Sequence, residues 1–212
     1  MAQERTLAGV PDTTYIPLVA RIYVSKRFPD YFRDDQALAL ESQIPGEAIQ
    51  TNSGEYECMA SVARSHVFDS KLSAFLAQHP TGNVAFLGGG LETNWSRVGV
   101  PTARCYQVDL PEVLDVRRRA LSQAANEELI AGDMLAMEWA KRMDTSLPTL
   151  LVVSGVWQKG ASKQCPDGFT AKFERAGMVP HHCPSTRDAS AGCHICPRRR
   201  EGHLGQTQRE GP

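Results

Sequence analysis

The chain has 212 residues, and its 23 lysines and arginines against 24 aspartates and glutamates give a formal net charge of −1. Nothing in this overall balance requires a polyanionic partner, so the sequence does not indicate nucleic acid binding. No apolar run approaches the roughly 20 residues of a membrane-spanning helix, and the first residues lack the apolar core of a secretory signal. We therefore expect a soluble, cytoplasmic protein with one main core and no membrane partner.

Two amphipathic helices are predicted before the first strand. The first covers residues 15–31, and Pro29 lies near its end. The second covers residues 56–78, with apolar residues on one broad face and a stop signal at residues 79–82. We expect residues 1–82 to form a helical cap over one end of the sheet that follows.

Four strand-like segments alternate with helical ones in the next part of the chain. They cover residues 84–87, a segment that ends at Asp109, residues 129–131 and residues 149–153. Pro111 opens the helix that follows the second segment. Alternation of this kind predicts an α/β fold with a doubly wound, mostly parallel sheet.

Three successive glycines follow the first predicted strand and form the most informative motif. Gly88, Gly89 and Gly90 let the backbone approach a ligand that a Cβ atom would hold away. Asp109 ends the next strand about twenty residues on, where a carboxylate can accept both hydroxyls of a ribose. Together the two features indicate an adenosine-containing cofactor. Thr93 replaces the third glycine of the dinucleotide pattern, which weakens a nicotinamide or flavin interpretation.

Five short segments together resemble one protein family: residues 15–21, 25–30, 87–93, 108–113 and 132–134. They are similar to the S-adenosylmethionine-dependent O-methyltransferases of the leucine carboxyl methyltransferase superfamily, in the branch of the tetracenomycin-type polyketide methyltransferases. This resemblance implies a class I methyltransferase (Rossmann-like) fold with S-adenosyl-L-methionine as cofactor. It also implies a carboxyl or hydroxyl oxygen of a small, polyketide-like molecule as acceptor. Since a carboxylate or phenolate acceptor is already nucleophilic, we name no catalytic residue.

The resemblance implies roles for residues at the ends of the first three strands. Gly88 and Gly90 would approach the methionine part of the cofactor, and Asp109 would bind the ribose hydroxyls. Asp133 and Met134 would lie beside adenine, where a carboxylate accepts from the exocyclic amine and an apolar side chain covers the ring.

Further cofactor contacts are implied for a helix and for the fourth strand. Arg64 would bind the methionine carboxylate through its guanidinium group, assisted by Lys26 or Arg27. Ser154 would complete the cofactor site, although many relatives carry an acid followed by glycine at the end of this strand.

Several of these residues also fit structural roles. Asp109 could cap the helix that begins at Pro111, and Asp133 could be a loop or capping acid. Arg64 could lie on a solvated helix face. We interpret His66 and His79 as surface or core-edge residues rather than catalytic bases. Three further residues could line a substrate mouth or simply pack: Tyr15, Arg21 and Tyr23.

The sequence after Gly155 departs from the family pattern. This departure predicts a divergent or truncated C-terminus. Only residues 169–179 resemble the family again, so we expect residues 83–179 to form the cofactor-binding core without the last two strands. The edge of the fourth or fifth strand would then be unpaired. An inactive or merely cofactor-binding relative is the alternative function.

Residues 180–212 contain few large aliphatic side chains, and we expect a disordered tail. Cys193 and Cys196 have a spacing compatible with zinc, with Cys183 upstream. A zinc-stabilised interaction protein is therefore a third, remote option. We favour an unselected tail and expect no metal, because no apolar frame surrounds these ligands.

Overall fold

A computed structural model describes residues 12–44 and 54–153, together with the backbone of two short segments, 178–181 and 193–197. The helices are α1 (Asp12–Arg27), α2 (Asp35–Ala39), α3 (Glu55–Gln78), α4 (Asn94–Val98) and α5 (Pro111–Ala120), with short 3-10 helices at Glu41–Gln43 and Glu138–Arg142. The strands are β1 (Asn83–Leu87), β2 (Arg104–Asp109), β3 (Glu127–Ala131), β4 (Thr149–Val153), β5 (Met178–His181) and β6 (Cys193–Pro197).

The strands form one sheet in the order β3-β2-β1-β4-β6-β5. The first four are parallel, and β1 lies between β2 and β4, with Leu87 opposite Val108 on one side and Val153 on the other. The chain therefore moves outward from β1 in one direction and returns to its other side with β4. Ligands of α/β proteins bind at the carboxyl ends of the strands beside such a reversal. The predicted α/β, doubly wound sheet is confirmed.

Alternate side chains of the central strands point to opposite faces of the sheet, as the two-residue period of a strand requires. On one face, Val84 and Phe86 of β1 pack against the apolar side of α3. On the other face, Ala85 and Leu87 pack against a cluster that includes Trp139. Both faces are covered, which explains why β1 is apolar throughout rather than alternating.

The helix α3 has 24 residues, and its buried side recurs every three or four residues: Cys58, Val62, Ser65, Phe68, Leu72, Phe75 and Leu76. Its first half packs on α1, where Ala20 and Val24 contact the cluster around Val62. Its second half covers the sheet. Among the described residues, no helix is both long and apolar enough to cross a membrane.

The first helix is shorter at its end than the sequence pattern predicts. It ends at Arg27, whereas the apolar pattern continues to Tyr31. Phe28 directly precedes Pro29, and the proline ring disfavours helical backbone at the residue before it. The chain therefore turns after Phe28, and the Tyr31 N–H donates to the Phe28 carbonyl at 3.0 Å.

Among the described strands, β4 is paired on both sides and β5 ends the sheet, so the expected unpaired edge lies at the fifth strand rather than the fourth. Residues Thr149 to Leu151 of β4 pair antiparallel with β6, and β6 pairs antiparallel with β5. The strand β6 also lies inside the segment for which we expected disorder. Few large aliphatic side chains do not prevent such pairing, because strand pairing joins backbone groups of any residue except the proline N–H. Most of the expected disordered tail lies outside the described residues, and its disorder stays a prediction. The last two strands extend the parallel sheet as an antiparallel edge.

Candidate cofactor site

Residues 88–92, hereafter the glycine turn, connect β1 to the segment that enters α4. Gly88 and Gly90 have φ angles of 66° and 56°, which residues with a Cβ atom rarely adopt. A Cβ atom on Gly89 would lie 3.3 Å from Oε1 of Gln107, closer than ordinary contact. The Gly88 N–H donates to the Val108 carbonyl at 2.8 Å, which ties the turn to β2. Positive φ angles at Gly88 and Gly90 and the close approach of Gln107 at Gly89 thus favour glycine at all three positions.

Asp109 at the end of β2 holds the glycine turn through its side chain. Oδ2 accepts the Gly90 N–H at 2.9 Å, and Oδ1 accepts the Leu110 N–H at 2.8 Å. Each carboxylate oxygen retains a further lone pair for a ligand hydroxyl. The residue at the N-cap of α5 is Leu110, and no side chain of the described residues caps this helix. Asp109 therefore bonds to the turn instead of capping the helix.

The Asp109 carboxyl group is partly removed from water. Burial raises its pKa above the ordinary aspartate value, while the two backbone N–H donors and the nearby Arg117 guanidinium lower it in opposition. A carboxylate in such surroundings bonds more strongly to polar ligand groups than one in bulk water.

Two buried arginines bind the other side of the glycine turn. Arg117 of α5 donates from Nη1 to the carbonyls of Gly90, at 2.9 Å, and Glu92, at 2.8 Å. Arg21 of α1 donates from Nη2 to the Leu91 carbonyl at 2.8 Å and from Nη1 to the Glu92 carboxylate at 2.9 Å. The carbonyls of three consecutive residues are therefore each bound by an arginine.

Each arginine has a buried acidic partner. Nη2 of Arg117 lies 3.0 Å from Oε1 of Glu127 at the start of β3. Nε of Arg21 lies 2.9 Å from Oδ2 of Asp34, and both of these side chains are 1% exposed. Asp34 also accepts from Nη1 of Arg97 at 2.9 Å. The N-terminal helices, the glycine turn and α4 are thus joined by one buried ionic network.

Sequence reasoning missed this network. It placed Arg21 at a substrate mouth or in packing, and the structure shows it buried at 1% exposure. Asp34 and Arg97 were not singled out at all. A usable signal was present, because Arg21 stands between the apolar residues Ala20 and Ile22 in a helix that the pattern predicts to be amphipathic. A charged residue in such a position is usually paired.

The turn after β3, residues 132–137, lies at the same sheet edge as Asp109. The Gly132 N–H donates to the Asp109 backbone carbonyl at 3.0 Å. Asp133 is exposed, and its Oδ1 accepts the Leu135 N–H at 2.8 Å. The Met134 side chain is partly buried against the apolar cluster of this sheet face. The structure therefore places Asp133 and Met134 in the turn that adjoins Asp109.

Arg64 lies on α3 one residue before Ser65, whose carbonyl accepts from the side chain of Asn94 at 3.4 Å. Asn94 begins α4 two residues after the end of the glycine turn, so this contact brings the Arg64 region of α3 close to the end of the turn. The Arg64 side chain is half-buried, and no ion pair or hydrogen bond joins it to another described residue.

Lys26 and Arg27 bind acids of the N-terminal helices instead. Nζ of Lys26 lies 2.8 Å from Oε1 of Glu41, and Nε of Arg27 lies 3.4 Å from Oε2 of Glu55. Both basic side chains are largely exposed. The structure thus gives neither residue a contact with the glycine turn. Ser154 lies outside the described residues.

The remaining candidates have contacts of several kinds, and Tyr15 belongs to the same buried cluster as Leu91 of the glycine turn. His66 stacks on Tyr31 with ring centroids 5.4 Å apart, and His79 contacts Phe75 at 5.0 Å. Tyr15 is buried. Tyr23 lines a cavity of about 340 Å³ between α1 and the first 3-10 helix.

No cluster of three or more potential metal ligands occurs within residues 15–44 and 54–153. The side chains of Cys193 and Cys196 lie outside the described part of the structure, and so does Cys183.

Four parallel strands in this order, with a glycine turn after the first and an acid at the end of the second, define a Rossmann-like, doubly wound α/β fold. Comparison with models of protein families identifies the family. The model of the leucine carboxyl methyltransferase family matches residues 16–158, and the chain belongs to this family.

Individual relatives carry methyltransferase names. The chain is 25% identical over 157 residues to the tetracenomycin polyketide synthesis O-methyltransferase TcmP of Streptomyces glaucescens. The match covers 74% of this chain and 58% of TcmP, so the chain spans less than two thirds of that relative.

Two solved structures are also similar. One is a protein of Thermobifida fusca YX assigned as a methyltransferase, with 19% identity, a TM-score of 0.45 and coverage of 86% of this chain and 74% of the other. The second is CalO1, a methyltransferase of calicheamicin biosynthesis in its SAH-bound form, with 16% identity, a TM-score of 0.35 and coverage of 91% and 70%. Both TM-scores are below 0.5, and the family assignment rests on the sequence match.

Proposed function

We propose that this chain is an S-adenosylmethionine-dependent O-methyltransferase that methylates a carboxyl or hydroxyl oxygen of a small, polyketide-like molecule. One observation carries the proposal. In a member of the leucine carboxyl methyltransferase family, the Asp109 carboxylate is bonded to the Gly90 N–H at the carboxyl ends of β1 and β2. The acceptor class is suggested by the name of the relative TcmP.

Residues at the sheet edge, together with Arg64 of α3, suit the three parts of the cofactor. The free lone pairs of Asp109 suit the two ribose hydroxyls, because a carboxylate has two oxygens that only accept. Asp133 and Met134 suit the amine and the ring face of adenine. The guanidinium group of Arg64 has no ion pair or hydrogen bond with another residue that the structure describes. It suits the methionine carboxylate, which a planar fork of N–H donors can bind at two points.

The bound cofactor would supply an electrophilic methyl group on a sulfonium. The residues of the chain then position the partners and exclude water, and good alignment of reacting groups supplies much of the rate increase in such a displacement. No side chain is assigned as a general base, since an ionised carboxylate or phenolate needs none.

Calorimetric titration of S-adenosylmethionine into the purified chain tests the cofactor site, with Asp109→Ala as the control. We expect saturable one-to-one binding that the substitution abolishes. A folded chain that does not bind the cofactor would contradict the proposal.

Transfer of a labelled methyl group to aromatic carboxylic acids and phenols then tests the activity. We expect label in at least one acceptor and none with Asp109→Ala. Binding without transfer to any acceptor would favour the cofactor-binding-only alternative.

A further inference from the structure

We propose that Arg21 and Arg117 are positioning residues that hold the glycine turn in the conformation that receives the cofactor. The inference rests on the proposed function, because it concerns the same site. Neither side chain is assigned a contact with the ligand. Both act through the backbone carbonyls of residues 90–92.

The contacts fix three successive peptide groups. The carbonyls of Gly90 and Glu92 accept from Arg117, and the carbonyl of Leu91 between them accepts from Arg21. In a trans peptide the N–H of the next residue points away from the carbonyl. Holding these carbonyls toward the arginines therefore also fixes the direction of the following N–H groups, including that of Leu91.

The two arginines approach the turn from different elements. Arg21 comes from α1, and Arg117 comes from α5, which follows β2. The Asp109 carboxylate provides a third contact by accepting the Gly90 N–H. Both the N–H and the carbonyl of Gly90 are therefore bound. These contacts restrict backbone rotation in the turn, where Gly88 and Gly90 have positive φ angles.

Stability of the fold alone does not explain the two buried cations. Arg21 is 1% exposed and Arg117 is 6% exposed. Removing charges from water is costly, and apolar residues of similar volume often give a fold of equal or greater stability than a buried ion pair. Apolar side chains cannot donate hydrogen bonds to the three carbonyls, whereas the arginines do.

The test combines a variant that keeps the packing with a matched control. Arg117→Met with Glu127→Gln removes the cation and its buried counter-charge together, so that no unpaired charge remains. Leu72→Ala is the control, because Leu72 is buried in the cluster between α3 and the sheet and is absent from the contacts of the turn. The protein is the full chain in each case.

Two readouts are taken below the unfolding temperature of every variant. The first is the Kd for S-adenosylmethionine, which we expect to rise at least about tenfold in the double variant, as for loss of charge-assisted hydrogen bonds. The second is amide hydrogen exchange of residues 88–92 without ligand, which we expect to be faster in the double variant. Leu72→Ala should lower the unfolding temperature and change neither readout.

Arg117→Lys and Arg21→Lys refine the result. Each keeps the charge but loses the planar fork, so we expect a Kd between those of the wild type and the double variant. Unchanged exchange of residues 88–92 in the double variant would overturn the inference, whether or not the chain binds the cofactor. Absence of cofactor binding in the wild type with faster exchange in the variant would instead contradict the proposed function.

Discussion

Two turns at the same sheet edge are held by different forces. In the glycine turn, Arg21 and Arg117 bind the carbonyls and Asp109 binds an N–H. In the turn after β3, the Met134 carbonyl accepts from the Trp139 ring N–H at 2.8 Å, and the Met134 side chain packs against apolar residues. The first turn depends on buried charge and the second on apolar packing.

The difference shows where each turn tolerates change. The charged groups that bind the first turn are buried or half-buried, so their replacement leaves partners unpaired. Asp133 in the second turn is exposed, and water can replace its contacts. Substitutions at the glycine turn should therefore have the larger effects on cofactor binding.

Asp109→Asn should give the largest effect. The amide keeps the volume but replaces one acceptor oxygen with a donor, which opposes the Gly90 or the Leu110 N–H and a ribose hydroxyl. We expect the Kd for S-adenosylmethionine to rise about 30- to 100-fold, as for loss of hydrogen bonds to a charged group. Calorimetric titration measures this, and a change below about threefold would show that Asp109 does not bind the ribose.

Arg64→Met should weaken binding of the full cofactor about tenfold or more, because a bidentate contact with the methionine carboxylate is lost. The matched ligand is 5′-methylthioadenosine, which lacks that carboxylate. Its Kd should be the same for the wild type and the variant. Equal weakening of both ligands would mean that Arg64 supports the site without binding the carboxylate.

Glycine substitutions compare the two turns directly. Gly90 has a φ of 56°, so Gly90→Ala should lower the free energy of unfolding by about 1–2 kcal/mol. A Cβ atom on Gly132 would meet no atom within 4 Å, so Gly132→Ala should change it by less than about 0.5 kcal/mol. Urea unfolding measures both, and equal effects would show that the two turns are equally tolerant.

The pH dependence of binding should follow the Asp109 carboxyl group. Burial raises its pKa, and binding needs the ionised form, so the Kd should rise as the pH falls through this raised value. Stability moves the other way. The folded pKa is above the unfolded one, so this group's favourable contribution is present below the unfolded pKa and is lost as the pH rises through the folded pKa.

Asp109→Asn is the control, because an amide does not titrate in this range. The wild type minus variant difference in unfolding free energy should become less favourable to the wild type as the pH rises. A difference that is independent of pH, or that has the opposite slope, would contradict the raised pKa.

Asp133→Asn should have the smallest effect, a rise of about two- to fivefold in the Kd, because exposed polar contacts contribute little net free energy. The amide still offers an acceptor for the Leu135 N–H. A loss as large as that of Asp109→Asn would remove the proposed contrast between the two turns.

The central sheet could be predicted from the sequence because its strands are buried on both faces. The strand β4 was predicted at its observed bounds, Thr149–Val153, since a continuous apolar run has few other interpretations. The strand β3 starts earlier than predicted, at Glu127. Glu127 is buried because Arg117 and Gln107 bind it, and a pattern of apolar residues does not reveal such pairing.

The site itself was predictable only in part. Gly88, Gly90 and Asp109 follow from local rules about turns and strand ends, and the structure joins Gly90 to Asp109. The contacts of Arg21 with the glycine turn do not follow from local rules, because Asp34, Leu91 and Glu92 become its neighbours only through packing of α1. Roles for Asp133, Met134, Arg64 and Ser154 came from the family resemblance and stay predictions.

The held carbonyls of residues 90–92 have a consequence for the rate and entropy of association. A turn that is already fixed loses little conformational entropy when a ligand arrives, whereas a mobile turn must be ordered at that moment. Binding should then need no slow rearrangement of the turn before capture, and its association rate should be close to that of a preformed pocket. In this protein the turn should lose its conformational entropy when the chain folds, so that little remains to be lost when the cofactor binds.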